Sequence, residues 1–228
     1  MTSARRTTGR RRNPRGQGQA LRHHLIEAAT ELLAQLGNVE SLTLRAVARQ
    51  VGVTPASIYN HFVDLDELVA HVMADQYEAL LGYTEDVISA APDPLGRLVG
   101  RGWAYASWGT ANPGHYRVLF GVGVTDPDAH TPPEGRVAGI RLLDGLIADL
   151  RDTREDPGGR DEEHRRRGLL LWAGLHGVIS LHNDRPDIGW PNLDGLLTSV
   201  IALHAGVTKA QVTDRKPALP PPGPTGPA

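Results

Sequence analysis

The spacing of apolar residues along the chain predicts a helical protein. Between about residues 20 and 205 these residues recur roughly every 3.6 positions, and no segment shows the clear alternation of a strand. The first predicted helix carries Leu25, Leu32 and Leu36 on one face. It ends at Gly37, since glycine suits a left-handed cap. The pattern therefore predicts an all-α fold.

Two short helices are predicted next. One begins after Thr43, an N-cap candidate, and ends before Gly52. The other begins at Thr54 and Pro55, because threonine caps helices and proline suits the first helical position. It is expected to run to about Phe62.

Longer helices are predicted for the rest of the chain. The fourth begins with Asp64, Asp66 and Glu67, which complement the positive end of its dipole, and continues to about Leu81. The others are predicted at 95–109, 113–120, 133–152, 160–184 and 191–205. Gly- and Pro-rich loops are predicted at 121–132 and 153–159. A small N-terminal bundle thus precedes a larger C-terminal one.

The composition of both ends predicts disorder. Residues 1–19 are rich in Arg, Gly, Thr and Gln without periodicity, and residues 211–228 are rich in Pro and Gly. We therefore expect a disordered arm at 1–19, a first domain at 20–65, a second domain at 66–210 and a disordered tail at 211–228.

Composition also excludes several classes of site. The absence of cysteine excludes disulfide scaffolds, thiol catalysis and cysteine-ligated metals. His23 and His24 are adjacent and His176 and His182 lie six apart, which does not suit metal ligation on a helix, so no metal or other cofactor is expected. No stretch reaches the roughly 18 to 20 apolar residues of a membrane span, and residues 1–19 lack a signal-peptide core. A cytoplasmic protein is expected.

Charge is distributed unevenly along the chain. From Met1 to Phe62 there are nine Arg, three Glu and no Lys or Asp, so this segment carries +6 and the remainder −8. A basic head on an acidic body is typical of a polyanion-binding module joined to a non-binding one. Charge alone equally allows a solubilising tail.

The segment from Leu44 to His61 has the spacing of a helix-turn-helix. Counted from Leu44, Ala48 is fifth, Gly52 ninth and Ile58 fifteenth. Two helices that cross at about 90–120° need a small residue at the contact, a glycine in the turn and an apolar lock on the second helix. Each feature alone is common, and their combination with the basic arm favours DNA binding.

The outward face of the second of these helices is uncharged and small or hydrogen-bonding: Pro55, Ala56, Ser57, Tyr59, Asn60 and His61. Such a face can enter a major groove, where asparagine pairs with adenine, serine bonds either base type and alanine contacts a thymine methyl. Phosphate contacts are expected from Thr43, Thr54, Tyr59 and His61. The alternative is an ordinary solvated face of a helical hairpin.

These residues closely resemble the N-terminal domain of the TetR family of regulators. The resemblance covers about residues 20 to 70, and it is carried by Leu-Thr-Leu-Arg-Ala-Val-Ala at 42–48 and Val-Gly-Val-Thr-Pro-Ala-Ser-Ile-Tyr-Asn-His-Phe at 51–62. It implies a three-helix DNA-binding domain and a homodimer on a near-palindromic operator. It also implies that bases are faced by Arg45, Ala56, Ser57 and Asn60, and the DNA backbone by Thr43, Thr54, Tyr59 and His61.

The chain departs from the family pattern at Leu65. Many members have a lysine there that contacts phosphate, whereas here Leu65 lies between Asp64 and Asp66. We expect the arm to offset this repulsion, with the backbone or the adjacent minor groove contacted by Arg10, Arg11, Arg12 and Arg15.

The C-terminal part resembles one class of TetR-family domains over roughly residues 94 to 205. The Trp-Ala-Gly-Leu-His-Gly run at 172–177 is similar to the tryptophan-histidine-glycine pattern of that class. The family pairs its last two long helices with those of a second copy, which implies a homodimer interface at 165–184 and 191–205. Gly174, Gly177 and Ser180 form a low stripe that permits close approach, although they can equally pack inside one subunit.

Aromatic side chains are scarce, and most lie in the C-terminal part. A small-molecule effector is expected to contact Trp103, Trp108, His115, Tyr116, Phe120, Trp172 and His176. The alternative is that these residues only fill the core.

The sequence therefore predicts a ligand-responsive, DNA-binding transcriptional repressor that acts as a homodimer on double-stranded DNA. One alternative is an architectural protein that binds DNA with little sequence preference. The other is an enzyme in a helical bundle, for which we find no nucleophile–base pair, phosphate-cradling loop or carboxylate constellation.

Overall fold

The computed structural model describes residues 17–120, 133–153 and 161–222, and over these ranges it confirms the all-α fold. The helices are α1 Gln17–Leu36, α2 Leu44–Val51, α3 Pro55–Ile58, α4 Leu65–Ile88, α5 Pro94–Ala111, α6 Pro113–Phe120, α7 Pro133–Asp152, α8 Asp161–Asp184, α9 Leu193–Ala205 and α10 Lys209–Thr213. A 3₁₀ turn at Pro186–Ile188 joins α8 to α9. Within the described ranges, no helix combines the length and apolarity that a bilayer span requires.

The N-terminal domain is a three-helix bundle closed by α4. Its core contains Leu33 of α1, Val47 of α2 and Ile58 of α3, all fully buried. The Thr43 hydroxyl accepts the Ala46 N–H at 3.2 Å, as an N-cap should. Gly52 ends α2 with φ +77°, which is the conformation that the turn before α3 requires.

The third helix is shorter than the sequence predicted. It ends at Ile58 instead of Phe62, and a turn follows in which the His61 and Phe62 N–H groups both donate to the Ile58 carbonyl, at 2.8 and 3.0 Å. Thr54 does not cap the backbone with its side chain, because its hydroxyl lies 3.0 Å from that of Ser57 and the two satisfy each other.

Helix α4 is longer than predicted. Asp64 caps its start by accepting the Glu67 N–H at 2.8 Å, and the Glu67 carboxylate accepts the Val63 N–H at 2.5 Å. The helix continues past Leu81 to Ile88, since Thr84 and Ile88 extend its buried face.

The C-terminal domain is built around α5, which packs against α4, α6, α7, α8 and α9. Most of α5 is buried, including Leu98, Val99 and Trp103. A Cβ at Gly102 would lie 2.8 Å from the Ile201 side chain, so this glycine allows α9 to approach closely.

A buried ion pair joins three of these helices. The guanidinium of Arg101 on α5 donates to Asp149 on α7 at 2.8 Å and to Glu85 on α4 at 3.2 Å. Arg97 also donates to Asp149, at 3.0 Å. The side chains of Arg101 and Asp149 are 8% and 7% exposed, so their pairing offsets the cost of burying both charges.

Both chain ends are more ordered than predicted within the described residues. Helix α1 begins at Gln17, so residues 17–19 belong to the helix and not to the arm. The expected tail is wrong for residues 211–222: Val212 is fully buried and Leu219 packs against the core. The remaining arm and tail, and nearly all of the two predicted loops, lie outside the described residues.

Candidate nucleic-acid interface and sensor site

The outward face of α3 and of the turn after it is open to solvent in the described part of the chain. Pro55 and Ala56 on α3 are exposed, whereas Tyr59 and Asn60, which were predicted on the helix, are exposed in the turn after Ile58, with Tyr59 at 60%. Beneath them Ile58 is fully buried and anchors the helix. A short helix held from below and open above is able to lie against base edges.

Residues at the start of α2 extend this face. Thr43 and Arg45 are exposed, and Ser57 and His61 are half-buried. Because the Thr43 hydroxyl oxygen accepts the Ala46 N–H, its own hydrogen remains available to donate.

The start of α1 lies beside the recognition face. A Cβ at Gly18 would be 3.8 Å from the His61 ring, so the first turn of α1 lies against the turn that follows α3. Arg10, Arg11, Arg12 and Arg15 lie outside the described residues, but the chain that carries them joins α1 at this point.

Polar and aromatic contacts join α1 to α2, to Phe62 and to α4. Arg22 of α1 lies over the Phe62 ring, 4.9 Å from its centroid, and donates to His71 Nε2 of α4 at 2.7 Å. Gln50 of α2 donates to Glu31 of α1 at 2.6 Å. These contacts make α1 to α4 one unit around α3.

The C-terminal domain contains an aromatic cluster in which four of the seven expected sensor residues meet. The ring of Phe120 lies 5.0 Å from Tyr116, 5.6 Å from His176 and 6.4 Å from Trp172. The Tyr116 and His176 rings stack at 5.4 Å. Tyr105 and Tyr77 complete this aromatic cluster, with rings 5.8 and 5.9 Å from Phe120.

A chain of hydrogen bonds runs through the aromatic cluster. The Tyr105 and Tyr116 hydroxyls lie 3.0 Å apart, and Tyr116 Oη lies 2.7 Å from His176 Nδ1. Burial raises the pKa of both phenols and lowers the pKa of His176, so the phenols are protonated and the imidazole neutral at neutral pH. Tyr105 Oη also lies 3.3 Å from His176 Nδ1, so both hydroxyls meet at this nitrogen.

The other three expected sensor residues lie elsewhere. Trp103 and Trp108 are 2% and 1% exposed and pack in the core away from this cluster. His115 is directed towards α1, where its ring hydrogen-bonds the Thr30 backbone. The positions of Trp103, Trp108 and His115 fit a role in the hydrophobic core better than contact with a ligand.

Sequence reasoning did not place Tyr77 at the site. Tyr77 lies on α4, where its spacing matched an ordinary buried helix face, and its hydroxyl donates to the Leu119 carbonyl at 3.3 Å. Tyr105 lies between Trp103 and Trp108 on α5. Its hydroxyl contacts Tyr116 of α6.

Helix α6 connects the aromatic cluster to the N-terminal domain. It carries Tyr116 and Phe120, and its Gly114 lies against the Ala34 backbone of α1 with no room for a Cβ. Arg117 of the same helix lies over Gly37 and pairs with Asp184 of α8 at 2.8 Å. A displacement of α6 therefore acts directly on α1.

An apolar surface remains exposed on α8 and α9. Leu170 and Leu181 of α8 are 47% and 50% exposed, and Leu203 of α9 is 76% exposed. Of the small residues between them, Gly174 packs inside the subunit against Val200, whereas a Cβ at Gly177 would meet open space. Gly174 therefore lies at a contact inside the subunit, whereas Gly177 lies on an open face of α8.

In the described ranges no group of three or more His, Asp or Glu side chains is arranged to hold a metal ion.

The tight turn, the exposed α3 face and the basic N-terminal segment define a helix-turn-helix DNA-binding regulator. Comparison with known families agrees in both domains. Residues 25–72 match the family described as bacterial regulatory proteins, tetR family, and residues 98–201 match the tetracyclin repressor-like C-terminal domain. HTH-type transcriptional regulators of Mycobacterium bovis and Mycobacterium tuberculosis are each 30% identical over 76% of this chain and 83% of their own length. The chain belongs to the TetR family of transcriptional regulators and is not an enzyme.

Solved structures share the fold at lower identity. A protein of unknown function from Rhodococcus sp. RHA1 has a TM-score of 0.69 and 24% identity, over 86% of this chain and 98% of that one. RolR, solved in complex with the ligand resorcinol, has a TM-score of 0.58 and 17% identity, over 90% and 98%. PfmR of Thermus thermophilus has a TM-score of 0.56 and 21% identity, over 79% and 94%.

Proposed function

We propose that this regulator is a ligand-responsive repressor that binds a near-palindromic operator as a homodimer. The observation that carries the proposal is the α3 face, exposed above a fully buried Ile58. Base contacts come from Arg45, Ala56, Ser57 and Asn60. Arginine suits guanine, alanine a thymine methyl, serine either base type and asparagine adenine. Such a protein acts where the DNA is, in the cytoplasm.

Backbone contacts position the recognition helix. They come from Thr43, Thr54, Tyr59 and His61, whose hydroxyl and imidazole groups can donate to phosphate. Asp64 and Asp66 flank Leu65, where the family resemblance implies a lysine. Gly18 of α1 lies beside His61, and Arg10, Arg11, Arg12 and Arg15, which precede α1 in the sequence, offset that repulsion.

The dimer forms through α8 and α9, which correspond to the expected interface at 165–184 and 191–205. The exposed leucines at 170, 181 and 203 and the open face at Gly177 support this pairing. Two recognition helices would then enter successive major grooves about 34–36 Å apart.

The effector binds at the aromatic cluster. Its rings offer stacking surfaces, and the neutral imidazole of His176 offers a hydrogen-bonding nitrogen, so a flat, uncharged ligand with a hydroxyl group fits this chemistry. The aromatic ligand of RolR supports this class. Trp172, His176 and Gly177 support assignment of this domain to the tryptophan-histidine-glycine class.

Ligand binding releases DNA by moving α6 and α4 against the N-terminal domain. Tyr116 and Phe120 carry the change through α6 to Ala34, and Tyr77 carries it to α4. A shift from 1:99 to 99:1 needs roughly 5.5 kcal/mol of differential affinity between the two states. A compound that fills the aromatic cluster only in the released state supplies this difference.

Selection of bound sites from random duplex DNA tests the proposal. The full chain should enrich a near-palindrome whose half-sites are one helical turn apart, and one of a set of phenolic and neutral aromatic metabolites should release it. Equal binding of the enriched and random duplexes at moderate salt would instead indicate an architectural protein. If no duplex is bound by the purified dimer, the repressor assignment is wrong.

The contribution of the N-terminal arm to DNA binding can be measured separately. Deleting residues 1–16 should lower the slope of log affinity against log salt by roughly 0.9 for each lost phosphate contact. An unchanged slope would show that the arm is only a solubilising tail.

A further inference from the structure

Residues 215–222, which we call the C-terminal clamp, follow α10 along the surface of α4, α5 and α9 without forming a helix or strand. From Arg215 to Pro220, partly buried and exposed residues alternate. This alternation is that of an extended chain with one edge against the body. Leu219 lies on the inner edge and packs against the hydrophobic core.

Two ion pairs hold the start of the C-terminal clamp. Arg215 donates to both carboxylate oxygens of Asp93, with Nε at 3.1 and 3.0 Å and Nη2 at 2.9 Å from them. Asp93 also caps α5, since it accepts the Gly96 N–H at 2.6 Å. The neighbouring Lys216 pairs with Asp194 in the first turn of α9. The chain is therefore attached to the N-terminal ends of two helices.

Aromatic residues receive the rest of the C-terminal clamp. The ammonium of Lys216 lies 5.9 Å from the centre of the Trp103 ring. The Tyr83 hydroxyl of α4 donates to the Pro220 carbonyl at 2.8 Å, and Ser107 Oγ of α5 lies 3.3 Å from the same hydroxyl. One proline carbonyl is thus bonded where α4 and α5 meet.

Two prolines, Pro217 and Pro220, lie within the docked segment, and the Tyr83 hydroxyl binds the Pro220 carbonyl. Proline restricts the free segment in advance, so docking costs little conformational entropy. This explains how a segment with few apolar residues remains bound.

We infer that the surface formed by Tyr83, Trp103, Ser107 and Asp194 is a built docking site for the C-terminal segment. Its occupant is the C-terminal segment of the same chain, and the docked segment clamps α4 to α5 and α9. Tyr83 lies 18 residues after Leu65, about 27 Å along α4 from the N-terminal domain. The C-terminal clamp therefore holds the far end of α4.

Limited trypsin digestion of the full chain tests the inference. Cleavage after Arg215 requires this side chain to leave Asp93, and it releases residues 216–228, which mass spectrometry follows. Leu219→Ser and Tyr83→Phe should each speed the release about fivefold or more, because each removes a docking contact and raises the open population. Ala218→Ser, on the exposed edge of the same segment, should release the fragment at the wild-type rate.

Amide hydrogen exchange separates local release from general destabilisation. In Leu219→Ser and Tyr83→Phe, exchange should quicken at residues 80–88 of α4 and stay unchanged in α1. The inference is overturned if Leu219→Ser and Ala218→Ser release the fragment equally fast. It is also overturned if the intact chain loses the fragment as fast as the urea-unfolded chain, or if exchange quickens equally in α1 and α4.

Discussion

The Tyr116 hydroxyl lies 2.7 Å from His176 Nδ1, and this hydrogen bond joins α6 to α8 inside the aromatic cluster. Tyr116 is 2% exposed and His176 is half-buried. Burial raises the pKa of the phenol and lowers the pKa of the imidazole, so this hydrogen bond joins two neutral groups at neutral pH. The helix that contacts α1 is thereby held to the proposed dimer helix.

Removing this hydroxyl should destabilise the protein. Tyr116→Phe removes a buried hydroxyl that is hydrogen-bonded to both Tyr105 and His176, and we expect the free energy of unfolding to fall by about 1–3 kcal/mol. Urea denaturation followed by circular dichroism measures it. Tyr59→Phe removes a hydroxyl from a 60% exposed residue and is the matched control, with no change expected. Equal stability of the two variants would contradict the role given to Tyr116.

Stability should fall in mild acid because of three histidines. Burial lowers the pKa of His115, His176 and His204 below the ordinary value of 6.5. The unfolded chain therefore binds more protons as the pH falls below about 6.5, and the free energy of unfolding decreases between pH 7.5 and 5.5. His176→Gln should make this decrease smaller. A decrease of the same size in wild type and variant would contradict the assignment for His176.

The contact between α6 and α1 should not tolerate a methyl group. Gly114→Ala has no space beside Ala34, and we expect a loss of about 1–3 kcal/mol in the free energy of unfolding. Gly82→Ala adds the same methyl to α4 in open space, where it should stabilise by about 0.5–1 kcal/mol. Similar effects in the two variants would show that the α6–α1 contact is not tight.

The proposed dimer surface can be tested with one charge. Leu203→Glu should weaken self-association at least about tenfold while the subunit stays folded, since the carboxylate would be buried without a partner at the interface. Sedimentation velocity over a concentration series measures it. Val137→Glu places the same charge on a 52% exposed valine of α7 and should leave the dimer intact. Normal dimerisation of the Leu203→Glu protein would show that the dimer interface lies elsewhere.

Local signals in the sequence were sufficient for most of the fold. Glycines at 37 and 52 end helices with positive φ, and the predicted 113–120 and 133–152 helices have the same bounds in the structure. The early end of α3 could not be predicted, because Ile58 and Phe62 fit a continued helix as well as they fit the turn.

Contacts between distant segments were beyond sequence reasoning. Nothing in the spacing of Arg101 and Asp149 indicates that they meet, and the role of Tyr77 depends on where α6 lies. The docked tail was missed because its Pro-rich composition indicates disorder, whereas two ion pairs and Leu219 hold it. The exposure of Pro55, Ala56, Tyr59 and Asn60 was predictable, since it is defined by neighbours within one short segment.

The recognition face is the central claim, and the affinity ratio between the selected operator and a shuffled duplex tests it most directly. Asn60→Ala should lose about 1–3 kcal/mol of operator affinity and little affinity for the shuffled duplex, so the ratio measured by fluorescence anisotropy falls about 5- to 150-fold. Glu78→Gln, on the exposed side of α4, should keep the wild-type ratio. An Asn60→Ala protein with an unchanged ratio would contradict the assignment of α3 as the element that reads the operator.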